Sequence, residues 1–245
     1  MRSLRFVQLT ATVLGAVLLV PAARASDSVL PAGTLLPVTL NHGLNAQKLH
    51  AGQAIELRLT QSIPGTKVHR GSKVIGTVVR VQTSPRGAGS LVLRFDAVES
   101  HGRKIAIRTD LRALASPLEV EEAQIPEEMS TRGLSPETWD TEQIGGDQVY
   151  RGGGPVMEDG HKVGEPGAYG ALNMPQAAAG MQCRGAMKGS HPQAMGLFSA
   201  DACGVYGYPY LVIQEAGRRS GEIVLASKRG KLSLRGGSAL LLRVN

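Results

Sequence analysis

The sequence predicts a mostly β protein: a small antiparallel β-barrel or sandwich with a long irregular insertion and a C-terminal β-meander. Three observations predict it. From Leu30 to Leu114 apolar and polar residues alternate with period two, the spacing of strands with one buried face. The breaks between these runs carry turn chemistry: Pro64-Gly65, Arg70-Gly71, Pro85-Arg86-Gly87 and His101-Gly102. After a stretch rich in Gly, Pro and Glu, the alternation returns near Gln182 and continues to the last residues.

Residues 1–25 read as a secretory signal. Arg2 and Arg5 form a basic start, an apolar run follows from Leu9 to Val20, and Ala23 and Ala25 occupy the small-residue positions of a cleavage site. The run is short against the roughly 30 Å hydrocarbon core of a bilayer. Cleavage near Ala25 is therefore expected, with no transmembrane helix in the mature chain and a periplasmic or secreted location.

Residues 26–115 form the N-terminal barrel-like segment. "AIELRLT" puts Ile55, Leu57 and Leu59 on one face. "SKVIGTVVRV" is read with Ile75, Val79 and Val81 facing together, and "SLVLRFDAV" with Leu91, Leu93 and Phe95 inward. "KIAIRTDL" continues with Ile105, Ile107 and Leu111. Residues 116–180 are read as an irregular acidic and Gly-rich insertion, with a short helix in "PLEVEEAQIPEEM" and a lone Trp139 expected to dock on the body. Residues 181–245 form a C-terminal β segment, in which Leu232, Leu234, Leu240, Leu242 and Val244 face one side.

The formal charge is +7. Three of those charges are the arginines of residues 1–25, which leaves about +4 on the mature chain. Residues 119–147 hold nine acids against Arg132 alone, so the rest of the mature chain carries about +12. A basic body with an acidic strap suits an anionic envelope surface. Aromatic residues make up only 4% and are not interleaved with basic runs. A stacking platform for single-stranded nucleic acid, or any specific nucleic-acid partner, is therefore not expected.

Cys183 and Cys203 are the only cysteines. In an oxidising compartment an even pair reads as a disulfide, worth about 3 kcal/mol on the chain-entropy account. A Cys203-His191-Asp201 nucleophilic set is the alternative, disfavoured because an exported thiol oxidises. The six histidines are scattered singly, without metal-site spacing. His42, His69 and His101 fall at turns or beside glycines, where an exposed imidazole is the ordinary outcome. No nucleophile elbow, Walker loop or zincin spacing occurs. No metal, cofactor or catalytic residue is assigned. Tyr206, Tyr208 and Tyr210 alternate; on one strand they would share a face, either packed on the sheet or turned to a ligand.

The motifs "LPAGTLLPVTL" (30–40), "GSKVIGTVVRV" (71–81) and "GSLVLRFDAVESHGRKIAI" (89–107) resemble, in kind and order, the β-barrel domain of TrbI-type conjugation proteins of type IV secretion machines. The resemblance spans residues ~30–112. It implies a small exported barrel that packs against neighbours. That family's inner-membrane helix, proline-rich stalk and apolar helical hairpin have no counterpart here. The C-terminal part, with "FSADACGVYGYPYLVI", is similar to uncharacterised exported bacterial proteins and brings no activity with it.

These readings lead to an exported, non-enzymatic envelope protein, a structural or interaction module for an envelope protein or glycan partner. The alternatives are a glycan- or small-ligand-binding barrel using the tyrosine face, and a hydrolase with an unrecognised site.

Overall fold

A computed structural model describes residues 30–84, 88–124, 139–145, 148–151, 156–158, 161–164, 170–171, 197–198, 202–214 and 221–245. The expected signal segment, Cys183 and the side chain of Trp139 lie outside the described residues. The first half of the chain forms β1 (Leu35–Leu40), β2 (Leu44–Asn45), β3 (Ala54–Leu59), β4 (Lys73–Thr83), β5 (Gly89–Ser100), β6 (Arg103–Ala106), β7 (Thr109–Ala115) and α1 (Pro117–Glu122). Five short strands follow: β8 (Trp139–Glu142), β9 (Gln148–Arg151), β10 (Val156–Glu158), β11 (His161–Gly164) and β12 (Gly170–Ala171). The chain ends with β13 (Gly204–Tyr206), β14 (Leu211–Gln214), β15 (Glu222–Ser227), β16 (Ser233–Leu234) and β17 (Ala239–Val244).

One sheet dominates, with strands in the order β13-β7-β17-β1-β3-β4-β5-β15-β14 and β6 paired onto the far end of β5. The ends of this path approach each other, giving a nearly closed barrel. All its pairings are antiparallel except β13 on β7. The C-terminal strands do not form a meander of their own. β15 pairs with β5 and β17 sits between β1 and β7, because residues 30–115 leave both of those edges without a neighbour. Pro37 is accommodated in β1 because the β1–β3 ladder begins one residue later, at Val38.

The barrel interior is filled by Leu36, Leu57, Val74, Val78, Leu91, Leu93, Phe95, Leu225, Leu240 and Leu242, all at most 1% exposed. Each such side chain contributes roughly 1.5–3 kcal/mol of apolar burial. Over residues 74–78 the inward face of β4 is the opposite of the one expected: Val74, Gly76 and Val78 point in, while Ile75 and Val79 are only half-buried; beyond the register shift between Val78 and Arg80, Val81 packs against the interior as expected. Valines occupy both faces, so alternation does not choose between them. Phe95 does. A methyl group on Gly76 would lie against its ring and 2.5 Å from the Arg94 carbonyl oxygen, so the ring requires glycine opposite it.

A second, smaller cluster covers the outer face of β1, β17 and β7. Leu35, Ala113, Ala115, Ala239 and Leu241 meet Ala123, Ile144 and Phe198. Ser116 caps α1, its hydroxyl accepting from the Glu119 amide at 3.4 Å, with Pro117 at the start of the helix. Ile144 bridges to Phe198, and its amide donates to the Leu197 carbonyl at 2.8 Å. The stretch 116–180 is thus not wholly irregular. β8, β9 and β12 pair as a small sheet, and β10 pairs with β11 across Glu158↔His161.

A candidate basic groove

At one end of the barrel the turn before β4 meets the β5–β6 hairpin. The turn at 69–72 is clamped to the end of β3: Gly71 N–H donates to Leu59 at 2.8 Å, Leu59 N–H donates to Ser72 at 2.9 Å, and Arg70 N–H donates to Ser62 Oγ at 3.0 Å. The hairpin pairs Ser100 with Arg103 across His101-Gly102. Both central residues are left-handed, with φ of +49° and +74°, as tight hairpins matched to strand twist require. Ser100 Oγ donates to the Lys67 carbonyl at 3.1 Å, tying the two loops together.

Between them lies a groove of about 550 Å³. The His69 and His101 rings stand edge to face at 5.0 Å. Arg70, Lys73, Arg103 and Lys104 line it against a single carboxylate, Glu99. The register places Glu99 directly between Lys73 on β4 and Lys104 on β6, where facing residues share a side of the sheet. Lys73 is engaged by Glu56 at 3.0 Å, an exposed pair of the kind worth about 0–1 kcal/mol. Arg70, Arg103 and Lys104 form no ion pair with any described residue. Among the described residues no group of three or more potential ligands could hold a metal ion.

The three tyrosines do not share a face. β13 ends at Tyr206, and Gly207 then turns left-handed at φ +68°, which breaks the alternation. Tyr206 packs on the outer cluster; its hydroxyl donates to the Cys203 carbonyl at 3.0 Å and accepts from the Cys203 amide at 3.1 Å. Tyr208 packs on the barrel interior, sharing a 2.7 Å hydrogen bond with Ser238 Oγ and accepting from the Arg235 amide at 3.1 Å. Only Tyr210 is exposed, at 52%, with the Arg229 guanidinium 6.0 Å from its ring. Cys203 is buried.

Burial is the main cause raising the Tyr206 phenol above its usual range. The Cys203 backbone hydrogen bond and then Arg112 lower it by less than burial raises it, and Glu119, the smallest of the four causes, raises it. The Glu119 carboxyl is likewise raised, chiefly by burial and then by Glu122.

The groove was not visible in single residues. Its signal is the repetition of turn chemistry: "HRGSK" (69–73) and "HGRK" (101–104) each place His, Gly, Arg and Lys within a few residues. The β4–β5–β6 register brings the two together. Comparison of the chain with protein-family models, with curated proteins and with solved structures finds no match.

Proposed function

We propose that the protein is an exported, non-enzymatic envelope protein, a β-rich structural or interaction module that meets an anionic envelope component through the basic groove. The observation that carries this reading is the charge imbalance. Among the described residues, three cations without ion-pair partners and a fourth in an exposed pair line the groove with one carboxylate. They line a single groove on the scale of the Debye length, about 8 Å at physiological ionic strength, so their fields add rather than being screened apart.

Export rests on the signal pattern of residues 1–25. The Cys183–Cys203 disulfide belongs to the same proposal, supported by the presence of only two cysteines and by the burial of Cys203. The TrbI-type resemblance adds a scaffold role; its motif residues fall on β1, β4, β5 and β6. A glycan-binding reading retains one ring, Tyr210, stacked by Arg229.

In-cell cross-linking tests the proposal. The native protein should fractionate with the envelope and cross-link to an envelope component. The Arg70→Glu/Arg103→Glu variant should lose that product while its melting temperature stays put, since exposed substitutions change stability by no more than about 0.5 kcal/mol. Retention in the cytoplasm, or an undiminished product in the variant, would overturn it.

A further inference from the structure

We infer that the groove takes a phosphomonoester carried on a sugar-sized group, with Arg70 and Arg103 gripping the phosphate beside the His69–His101 pair. The inference rests on the reading of this groove as an anion-facing site. Four cations against Glu99 and the Glu56 carboxylate that pairs with Lys73 leave an excess of two positive charges before either imidazole is counted. A single carboxylate offers one negative charge. A phosphomonoester carries about −1.5 to −2 and three strong acceptor oxygens at neutral pH, and guanidinium forks match those oxygens in pairs. The cavity of about 550 Å³ is far larger than a phosphate alone and falls in the range of small-molecule sites, so the organic part of the ester has room.

His101 supplies a second, independent observation. It is the one described non-glycine residue with positive φ, and Gly102 follows it. A two-residue hairpin of this kind favours Asn-Gly or Asp-Gly. A bulkier imidazole held at φ +49° marks a residue kept there for its side chain, and that side chain meets His69 at the groove.

Isothermal titration of the purified protein with glucose 6-phosphate, inorganic phosphate and glucuronate tests this. Glucose 6-phosphate should bind at least roughly tenfold more tightly than glucuronate, and Arg70→Ala and Arg103→Ala should each weaken it by about tenfold. His101→Asn, which installs the preferred Asn-Gly turn, should weaken binding while the melting temperature holds or rises, separating recognition from folding. Vesicles of phosphatidate in phosphatidylcholine form the other arm. Binding to them but not to glucose 6-phosphate assigns the monoester to a lipid headgroup, whereas binding to the free sugar phosphate assigns it to a soluble ligand. Equal affinity for glucuronate, unchanged binding in both arginine variants, or no binding to any phosphate probe would overturn the inference. If the phosphate probes fail while Arg70→Glu/Arg103→Glu still abolishes the envelope cross-link, this inference falls and the interaction module stands. Phosphate binding without any envelope cross-link gives the reverse.

Discussion

Tyr206 joins the outer cluster to the entry of β13, and its hydroxyl both donates to and accepts from the backbone of Cys203. Burial raises its pKa above the usual value near 10, so the neutral phenol is favoured in the folded state. The unfolded chain therefore loses this proton first. The stability tied to the neutral phenol is fully present below pH 10 and is lost as pH rises through the folded pKa. A melting curve measured from pH 8 to 11 should show this alkaline loss. Tyr206→Phe should be less stable than the native chain at pH 8, since it forfeits both backbone hydrogen bonds, at about 1 kcal/mol each. Its melting temperature should also fall less steeply above pH 10. Parallel pH profiles for the two proteins would overturn the assignment.

Residues such as Leu91, Leu93 and Phe95 were legible in the sequence because polar Arg94 and Asp96 alternate with them. Ile75 and Val79 were not, because β4 is apolar on both faces and its inward side is chosen by a ring on the neighbouring strand. The tyrosine face failed for a local reason: alternation is a property of strands, and Gly207 ends the strand.

At the scale of elements, the outer cluster shows how a long stretch of low apolar content is held to the barrel. α1 packs Val120 there and its C-cap Ala123 is buried in the cluster, and the bridge between Ile144 and Phe198 brings two distant segments onto β7 and β17. Phe198 is 1% exposed, so Phe198→Ala should cost about 3–5 kcal/mol. The loss should be local. Hydrogen exchange at the Ile144 amide, bonded to Leu197, should accelerate strongly, while the amides of β4 and β5 keep their protection. Uniform acceleration across the barrel would show that the outer cluster is not a separable unit. The short helix was legible from its Ser-Pro start and glutamates. The contact made by Ile144 and Phe198 was not, since two isolated apolar residues 54 positions apart carry no periodic signal.

For the whole molecule, alternation dictates which residues face inward but not which strands are neighbours. The sequence therefore left open whether 205–244 and 33–112 share a sheet. They do, and the last strand completes it. β17 is bonded to β1 on one side and to β7 on the other, through residues 239–244, and five of its six residues are buried. The interior cluster uses Leu240, Leu242 and Val244, while the outer one uses Ala239 and Leu241. Removing this strand would open both clusters, leave the edges of β1 and β7 unpaired, and expose the interior side chains that Leu240, Leu242 and Val244 cover, at roughly 1.5–3 kcal/mol for each large apolar side chain lost from the core. Single domains hold only about 5–15 kcal/mol of net stability. A chain ending at Ser238 should therefore show no cooperative thermal transition by circular dichroism. Removing Asn245 alone forfeits one backbone hydrogen bond to Arg108 and should cost about 1 kcal/mol. A cooperative melt of the Ser238-terminated chain near that of the native protein would mean that the remaining strands close the barrel without β17.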